Sequence, residues 1–307
     1  MLGNDRGALF MSKEIVVISG KGGTGKTSIV ASFAALADKK VLADCDVDAA
    51  DLYLVLNPKI KHREDFSGGK KATIIEDACT GCNLCIDNCR FEAIHYPLLN
   101  NGKKATTPQI NHVICEGCGV CVRVCPAKAI SFEPVVNGEW YVSSTNYGPM
   151  IHARLGMAEG NSGKLVALIR EKARTIAKDN HLDYVIVDGS PGIGCPVIAS
   201  IAGADLVLVV TEPTLSGQHD LMRVVELTSF FNIPTIICVN KWDLNPGITE
   251  EIEVKAKERG IKAVGRVRYD TAITKAQIMK TSVVEYTGGA VSEDIKSLWR
   301  NVVYALG

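Results

Sequence analysis

Eight of the eleven cysteines stand in two runs of identical spacing, Cys79-x2-Cys82-x2-Cys85-x3-Cys89 and Cys115-x2-Cys118-x2-Cys121-x3-Cys125. Each cysteine of the second run lies 36 positions after its counterpart, and Ala93-Ile94 recurs as Ala129-Ile130 at the same offset. The segment is an internal duplication. A C-x2-C-x2-C loop wraps closely enough for three thiolates to reach three iron corners of a cubane cluster, and the fourth thiolate must come from elsewhere. Zinc is the competing metal, because paired C-x2-C groups also bind it. Two complete four-cysteine runs point instead to two [4Fe–4S] clusters. A disulfide framework is the third alternative, and it belongs to short secreted chains.

A second chemistry sits near the start of the chain. Gly20-Lys21-Gly22-Gly23-Thr24-Gly25-Lys26-Thr27 is a full G-x4-G-K-T loop after the β-branched run Ile15-Val16-Val17-Ile18. In such a loop successive backbone N–H groups point at a phosphate, and glycine permits the dihedrals this needs. Lys26 reaches the β- and γ-phosphates and the Thr27 hydroxyl binds Mg²⁺. The same residues satisfy the dinucleotide pattern Gly20-x-Gly22-x-x-Gly25, with Asp46 about twenty residues on. Lys26-Thr27, which a dinucleotide fold does not need, and a second acidic strand end at Asp188 favour a nucleoside triphosphate. Asp188 is expected to hold a water on Mg²⁺, and Gly189-Ser190-Pro191-Gly192-Ile193-Gly194 is flexible enough to sense a γ-phosphate. Asn240-Lys241-Trp242-Asp243 leaves the base open: N-K-x-D in GTPases reads guanine through its aspartate, whereas related ATPases use the asparagine on adenine.

Residues 70–135 resemble the two-cluster bacterial ferredoxins. That resemblance implies one cluster on Cys79, Cys82, Cys85 and Cys125, and the other on Cys115, Cys118, Cys121 and Cys89. Arg90 stands where the family motif carries proline. Lys21, directly after the first glycine of the phosphate loop, is the mark of deviant Walker A proteins. Residues 13–60 and 145–300 resemble the MinD/ParA and nitrogenase iron-protein group. There the corresponding lysine reaches a partner's nucleotide across a dimer interface, which makes Lys21 a dimerisation residue. The same resemblance gives Asp46 the role of orienting the attacking water and assigns base contacts to the backbone of 265–270, and it favours ATP. Asp44, Asp48 and Asp51 read as capping or solvated residues. Nitrogenase iron protein places a cluster ligand where Cys195 stands, yet its second ligand would fall near Gly160, which is not cysteine. Cys195 is thus divided between a cluster-related and a packing role, while Cys45 and Cys238, within apolar strands, read as core.

These residues require a scaffold that brings distant strand ends together. The pattern predicts a strand at 14–19, a helix at 26–37, a strand at 40–45 and a polar connecting stretch at 57–71. Short strands at 74–75, 95–96, 111–112 and 131–132 bracket the cysteine runs, and alternation of helices and strands resumes after Trp140. The expected fold class is α/β: a parallel sheet with helices on both faces, of the P-loop NTPase type, plus a small inserted α+β ferredoxin-like domain. The expected limits are a tail at 1–11 with no role, an ATPase domain at 12–68 and 141–307, and the insert at 69–140. In such a sheet Gly20, Asp46, Asp188 and Asn240 converge at the C-terminal strand ends. The insert departs beyond Asp46 and Asp51, on the same rim. The apolar stripe Ile295, Leu298, Trp299, Val302, Val303, Leu306 suits core packing better than the terminal membrane helix of MinD-type proteins.

Lys and Arg total 34 against 34 Asp and Glu, so no global field favours nucleic acid or anionic lipid. The first ten residues lack the features of a signal peptide, and no apolar run approaches the roughly 18 residues of a membrane span. A cytoplasmic protein is expected. The six histidines form no H-E-x-x-H or similar cluster. The expected function is ATP hydrolysis, slow without a partner, coupled through Mg²⁺·ATP binding to electron transfer from two [4Fe–4S] clusters to a protein partner. The alternatives are a cluster or metallocofactor assembly ATPase and a MinD-like positioning ATPase with structural clusters. The expected partners are a second copy or a homologous subunit, bound in a nucleotide-dependent way, and a redox or cluster-accepting protein.

Overall fold

The computed structural model describes residues 12–100, 102–156 and 162–307. The tail at 1–11 and Gly160 lie outside the described residues. The chain forms two compact units, one made of the residues up to Glu64 with Trp140–Arg154 and Ser162–Gly307, the other essentially Asp65–Glu139.

The first unit begins with β1 (Lys13–Ser19), α1 (Lys26–Leu36), β2 (Lys40–Asp44), α2 (Leu52–Leu56) and β3 (Lys59–Phe66). The second unit holds β4 (Gly69–Ile74), α3 (Leu84–Asp87), β5 (Ile94–His95), β6 (Gln109–Ile110), α4 (Val120–Val124) and β7 (Ile130–Val135). The chain then forms β8 (Gly138–Thr145), β9 (Gly148–Leu155), α5 (Ser162–Asp179), β10 (Tyr184–Pro191), α6 (Cys195–Ile201), β11 (Leu206–Thr211), α7 (Leu215–Phe230) and β12 (Thr235–Asn240). It ends with α8 (Pro246–Glu258), β13 (Lys262–Val267), α9 (Ala272–Ile278), α10 (Val283–Tyr286) and α11 (Ala290–Leu306).

Nine strands form one sheet in the order β13-β12-β11-β1-β10-β2-β9-β8-β3. From β13 to β9 every neighbouring pair is parallel. Ile15 and Val17 of β1 pack into the core with α1 and α11, and the alternate residues Val16 and Ile18 are equally buried on the other face. Both faces are therefore covered by helices, which is why β1 and β11 read as unbroken apolar runs. The C-terminal stripe belongs to this core: Ile295, Leu298 and Val302 are fully buried and Trp299 packs on Phe33 with ring centroids 4.9 Å apart. Among the described residues no helix is long and apolar enough to cross a membrane.

The polar stretch at 57–71 departs from expectation, since β3 arises within it. Residues 59–65 are all exposed at the sheet edge. An edge strand wet on both faces carries no apolar alternation, and its charges discourage further pairing.

His152 on β9 is buried, takes part in a 2.9 Å hydrogen bond between Nε2 and Ser143 Oγ, and stacks on Tyr141. Burial pushes its pKa down to about 4. Between the unfolded value near 6.5 and that folded value, the unfolded chain binds the extra proton, so stability falls as pH drops through this window. About 3 kcal/mol is at stake. Urea unfolding at pH 7.5 and 4.5 should show His152→Gln losing less stability on acidification than the unaltered chain.

The second unit has a pseudo-twofold organisation. Antiparallel β4–β7 pairs Ile74 with Ile130, and β5–β6 pairs Ile94 with Ile110. Ile75 N–H donates to Ala129 O (2.8 Å) and Asn111 N–H to Ala93 O (2.7 Å), the same bond with the two repeats exchanged. Left-handed backbone recurs at the same offset, with φ of 67° at Gly81 and 63° at Gly117, 63° at Asn83 and 73° at Gly119. A Cβ at Gly117 would lie 2.1 Å from Lys70 O, so the second loop admits no side chain there. The apolar core is small, centred on Ala72, Ile94 and Ile130 with cysteines among its members. A core of that size supplies little stability by itself.

Candidate functional site

In the first unit β1 delivers the chain into the glycine loop, and α1 starts at Lys26. Gly23 (φ 80°) and Gly25 (φ 88°) are left-handed. A Cβ at Gly25 would lie 2.3 Å from Asn240 Nδ2, so glycine lets the loop seat against the end of β12. Asn240 Nδ2 donates to Thr24 O at 2.7 Å, bracing the loop from a strand end more than two hundred residues later.

Lys26 is buried and turned onto carboxylates, with Nζ 2.5 Å from Asp188 Oδ1 and 3.5 Å from Asp46 Oδ2. Burial acts to lower its pKa, but Asp188 and Asp46 outweigh it and the pKa is raised. Asp44 lies opposite Asp188 in the β2–β10 register and is buried rather than capping or solvated, which corrects the sequence expectation. Its side chain accepts from Asp46 N–H at 3.3 Å. Burial, reinforced by Asp188, pushes the Asp44 carboxyl well above the usual carboxylate range, and burial also raises Asp46. One lysine thus faces three carboxylates, and Asp44 is pushed further toward its neutral form than Asp46. Asp48 and Asp51 are exposed.

Lys26 and Asp46 border a cleft of about 460 Å³ whose lining includes Gly22–Ser28, Asn240, Tyr269 and Gln277. That volume lies in the range of small-molecule sites. Thr24 Oγ1, Asp44 Oδ2, Asp188 Oδ2 and Asn240 Oδ1 are buried without a hydrogen-bond partner. Unpartnered buried oxygens beside a glycine loop and an aligned helix N-terminus fit a Mg²⁺-bound nucleotide: three carboxylates share the single charge of Lys26, and the loop and the helix N-terminus are built to face an anion. Lys26 and Thr27, both lining the cleft, are the side chains that would hold phosphate and metal.

Lys21 does not line the cleft. Its Nζ lies 2.6 Å from Glu212 Oε1 and donates to Ser216 Oγ at 2.9 Å. Glu212 also takes Lys241 Nζ at 3.2 Å, and Lys241 donates to Gly23 O at 3.1 Å. Desolvation acts to raise the Glu212 carboxyl, and its bonds to the two lysines hold it lower nonetheless. Asp243 is exposed, and its Oδ1 accepts from Tyr269 N–H at 2.7 Å. Sequence reasoning misplaced Asp44 and passed over Glu212 and Gln277, whose Nε2 donates to Ser28 Oγ at 2.9 Å. Only Asp44 left a signal, an acidic end on the strand that pairs with the Asp188 strand.

In the second unit the eight cysteines divide between two voids. Cys79, Cys82, Cys85 and Cys125 line one. Cys89, Cys115, Cys118 and Cys121 line the other. Among the described residues no three His, Cys, Asp or Glu side chains converge on a single ion. Four thiols ringing a void suit a multi-atom cluster, whereas zinc needs its sulfurs about 2.3 Å from one point. Burial pushes the Cys121 thiol up to about 11 and raises Cys85 as well, so metal binding here must displace protons.

Cys45 and Cys238 are buried, and burial raises both thiols. Cys195 is exposed at the first position of α6.

The 4Fe–4S dicluster domain family matches residues 78–129. Over 242 residues the chain is 38% identical to the uncharacterized protein MJ0578 of Methanocaldococcus jannaschii, covering 76% of this chain and 79% of that protein. The uncharacterized protein MJ0579 of the same organism is 28% identical over 260 residues, covering 75% and 81%. In three dimensions the chain resembles the cell division ATPase MinD of Pyrococcus furiosus, with TM-score 0.56, 17% identity and coverage of 96% and 99%. It also resembles MinD from Pyrococcus horikoshii complexed with Mg-ADP, with TM-score 0.57, 14% identity and coverage of 95% and 96%.

Proposed function

Because the chain belongs to the family of MJ0578, a MinD/ParA-like P-loop fold with an inserted 4Fe–4S dicluster ferredoxin domain, we propose that it binds and hydrolyses ATP to control electron transfer from two [4Fe–4S] clusters to a protein partner. The observation that carries the proposal is Lys26 held on Asp188 beside orphaned buried acceptors. When bound, the clusters supply one-electron chemistry and Mg²⁺·ATP the phosphoryl group to be hydrolysed.

In this reading Lys26 leaves Asp188 for the phosphates, and Thr27 and Asp188 turn to the Mg²⁺ side. Asp46 orients the attacking water. Asp188 belongs to β10, whose next residues are tied elsewhere: Ser190 Oγ donates to Cys45 O at 2.7 Å and Gly192 N–H to Ser19 O at 2.8 Å. Release of Lys26 therefore changes the restraints on 188–194, the segment expected to respond to the γ-phosphate. Asn240 braces the loop beside the base, and Asp243 holds the 269 backbone. With one Asp243 oxygen committed to Tyr269 N–H, bidentate reading of guanine is disfavoured and ATP is preferred.

Anaerobically prepared protein, analysed for iron and sulfide and titrated potentiometrically with and without Mg²⁺·ATP, tests the proposal. Cluster potentials or electron-donation rates that change with nucleotide support it; redox behaviour indifferent to nucleotide overturns it. Transfer of iron and sulfide to an apo-protein would move the assignment to cluster assembly. We assign Lys21 to a nucleotide-dependent dimer, which requires its release from Glu212. Lys21→Ala should bind ATP normally yet lose ATP-dependent self-association in sedimentation velocity, and retained association would remove Lys21 from that role.

A further inference from the structure

The pseudo-twofold provides an internal control, since two voids with equivalent ligands and equivalent backbone differ in a few defined side chains. Thr80 and Glu116 occupy matching positions between the first and second cysteines of each run, and each lines its own void. Among the described lining residues of both voids Glu116 is the only charged one. At the next differing position Asn83 lines the first void and accepts a 2.6 Å hydrogen bond from the Tyr96 hydroxyl. Its counterpart is Gly119, against which the Phe132 ring packs. Ala129 N–H donates to Cys125 Sγ at 3.3 Å, and Cys125 lines the first void.

Reduction adds one negative charge to a cluster. A carboxylate at the rim opposes that charge, while amide donors to the ligand sulfurs and neutral polar neighbours favour it. Asn88 also lines the Glu116 void, but a neutral amide weighs less than a full charge, and Glu116 is the one charge in either lining; on that ground the Cys79–Cys82–Cys85–Cys125 set accommodates an added electron better than the Cys89–Cys115–Cys118–Cys121 set. We infer that Glu116, against Thr80 at the matching position, sets the two centres apart in reduction potential and gives the module a polarity, with electrons entering at the Glu116 side and leaving for the acceptor from the Thr80 side. The internal step moves one electron, oxidising the centre held by the Cys115 set and reducing the one held by the Cys79 set, with no bond made or broken. A one-electron donor of low potential supplies it. This inference rests on the two-cluster reading above and adds the direction of flow within the module.

The test uses the full chain with its clusters, titrated with dithionite through redox mediators and followed by EPR, in the unaltered form and as Glu116→Gln and Thr80→Glu. Glu116 is exposed, so Glu116→Gln should fold normally and its effect is moderated by solvent. The unaltered protein should show two one-electron waves, the first electron favouring one centre by about tenfold, which corresponds to 59 mV. Glu116→Gln should raise the lower wave and narrow the gap, and Thr80→Glu should lower the upper wave. Coincident midpoints in the unaltered protein, or a Glu116→Gln shift confined to the upper wave, overturn the inference while leaving two clusters in place. Protein without iron and sulfide would remove the two-cluster reading itself, and the inference with it.

Discussion

Lys26→Ala is expected to destabilise the nucleotide-free protein by about 3 kcal/mol, because removing one partner of a buried ion pair leaves the other charge uncompensated. Asp188 is fully buried, 2.5 Å from Lys26 Nζ, and its charge acts to raise the pKa of both Asp44 and Asp46. ATP hydrolysis should fall by about 10²–10³-fold, the usual effect of deleting a donor to developing negative charge. The two losses are separable. Lys26→Ala combined with Asp188→Asn removes both charges and should recover most of the stability in a urea titration, with hydrolysis still lost. A double variant as unstable as the single one would mean that the ion pair is not what holds this cleft together.

Cys125→Ala is expected to remove the centre held with Cys79, Cys82 and Cys85 and to spare the one built on Cys115, Cys118 and Cys121. The two centres share no ligand, so iron and sulfide per chain should fall by up to about half, the full drop marking complete loss of one cubane. The identity of the survivor can be read directly: adding Glu116→Gln should still shift the remaining potential, because Glu116 lines the void that keeps all four of its cysteines. Cys89→Ala should give the mirror result, with a survivor insensitive to Glu116→Gln. A Cys125→Ala protein that instead lost the centre of its own run would mean that the voids do not correspond to the clusters. The unit should also become less stable, because Cys125 packs against its small core.

Much of the fold was legible because its signals are local. Buried parallel strands announce themselves as unbroken runs such as Leu206-Val207-Leu208-Val209-Val210, and the dicluster segment as a repeated spacing. β3 was not legible: its residues at 59–65 face water on both sides, so neither burial nor alternation marks them as a strand. Asp44 was misread for a related reason, since an acidic residue at a strand end is usually wet, and only the Lys26 charge and the Asp46 N–H offset the cost of burying it beside Asp188.

Spacing along the chain is enough to mark the residues that could do chemistry: glycine, lysine and threonine at fixed intervals, and three thiols per loop, are contacts made within one turn of chain. Which distant residue completes each set depends on packing. Spacing leaves the fourth thiol of each run open, and the exchange of repeats about the pseudo-twofold brings Cys125 to the first void and Cys89 to the second. Spacing likewise says nothing of Glu212, which reaches Lys21 only because β11 lies beside β1 in the sheet. Local geometry follows from covalent bonds a few residues apart, whereas these partners are set by how strands and repeats pack.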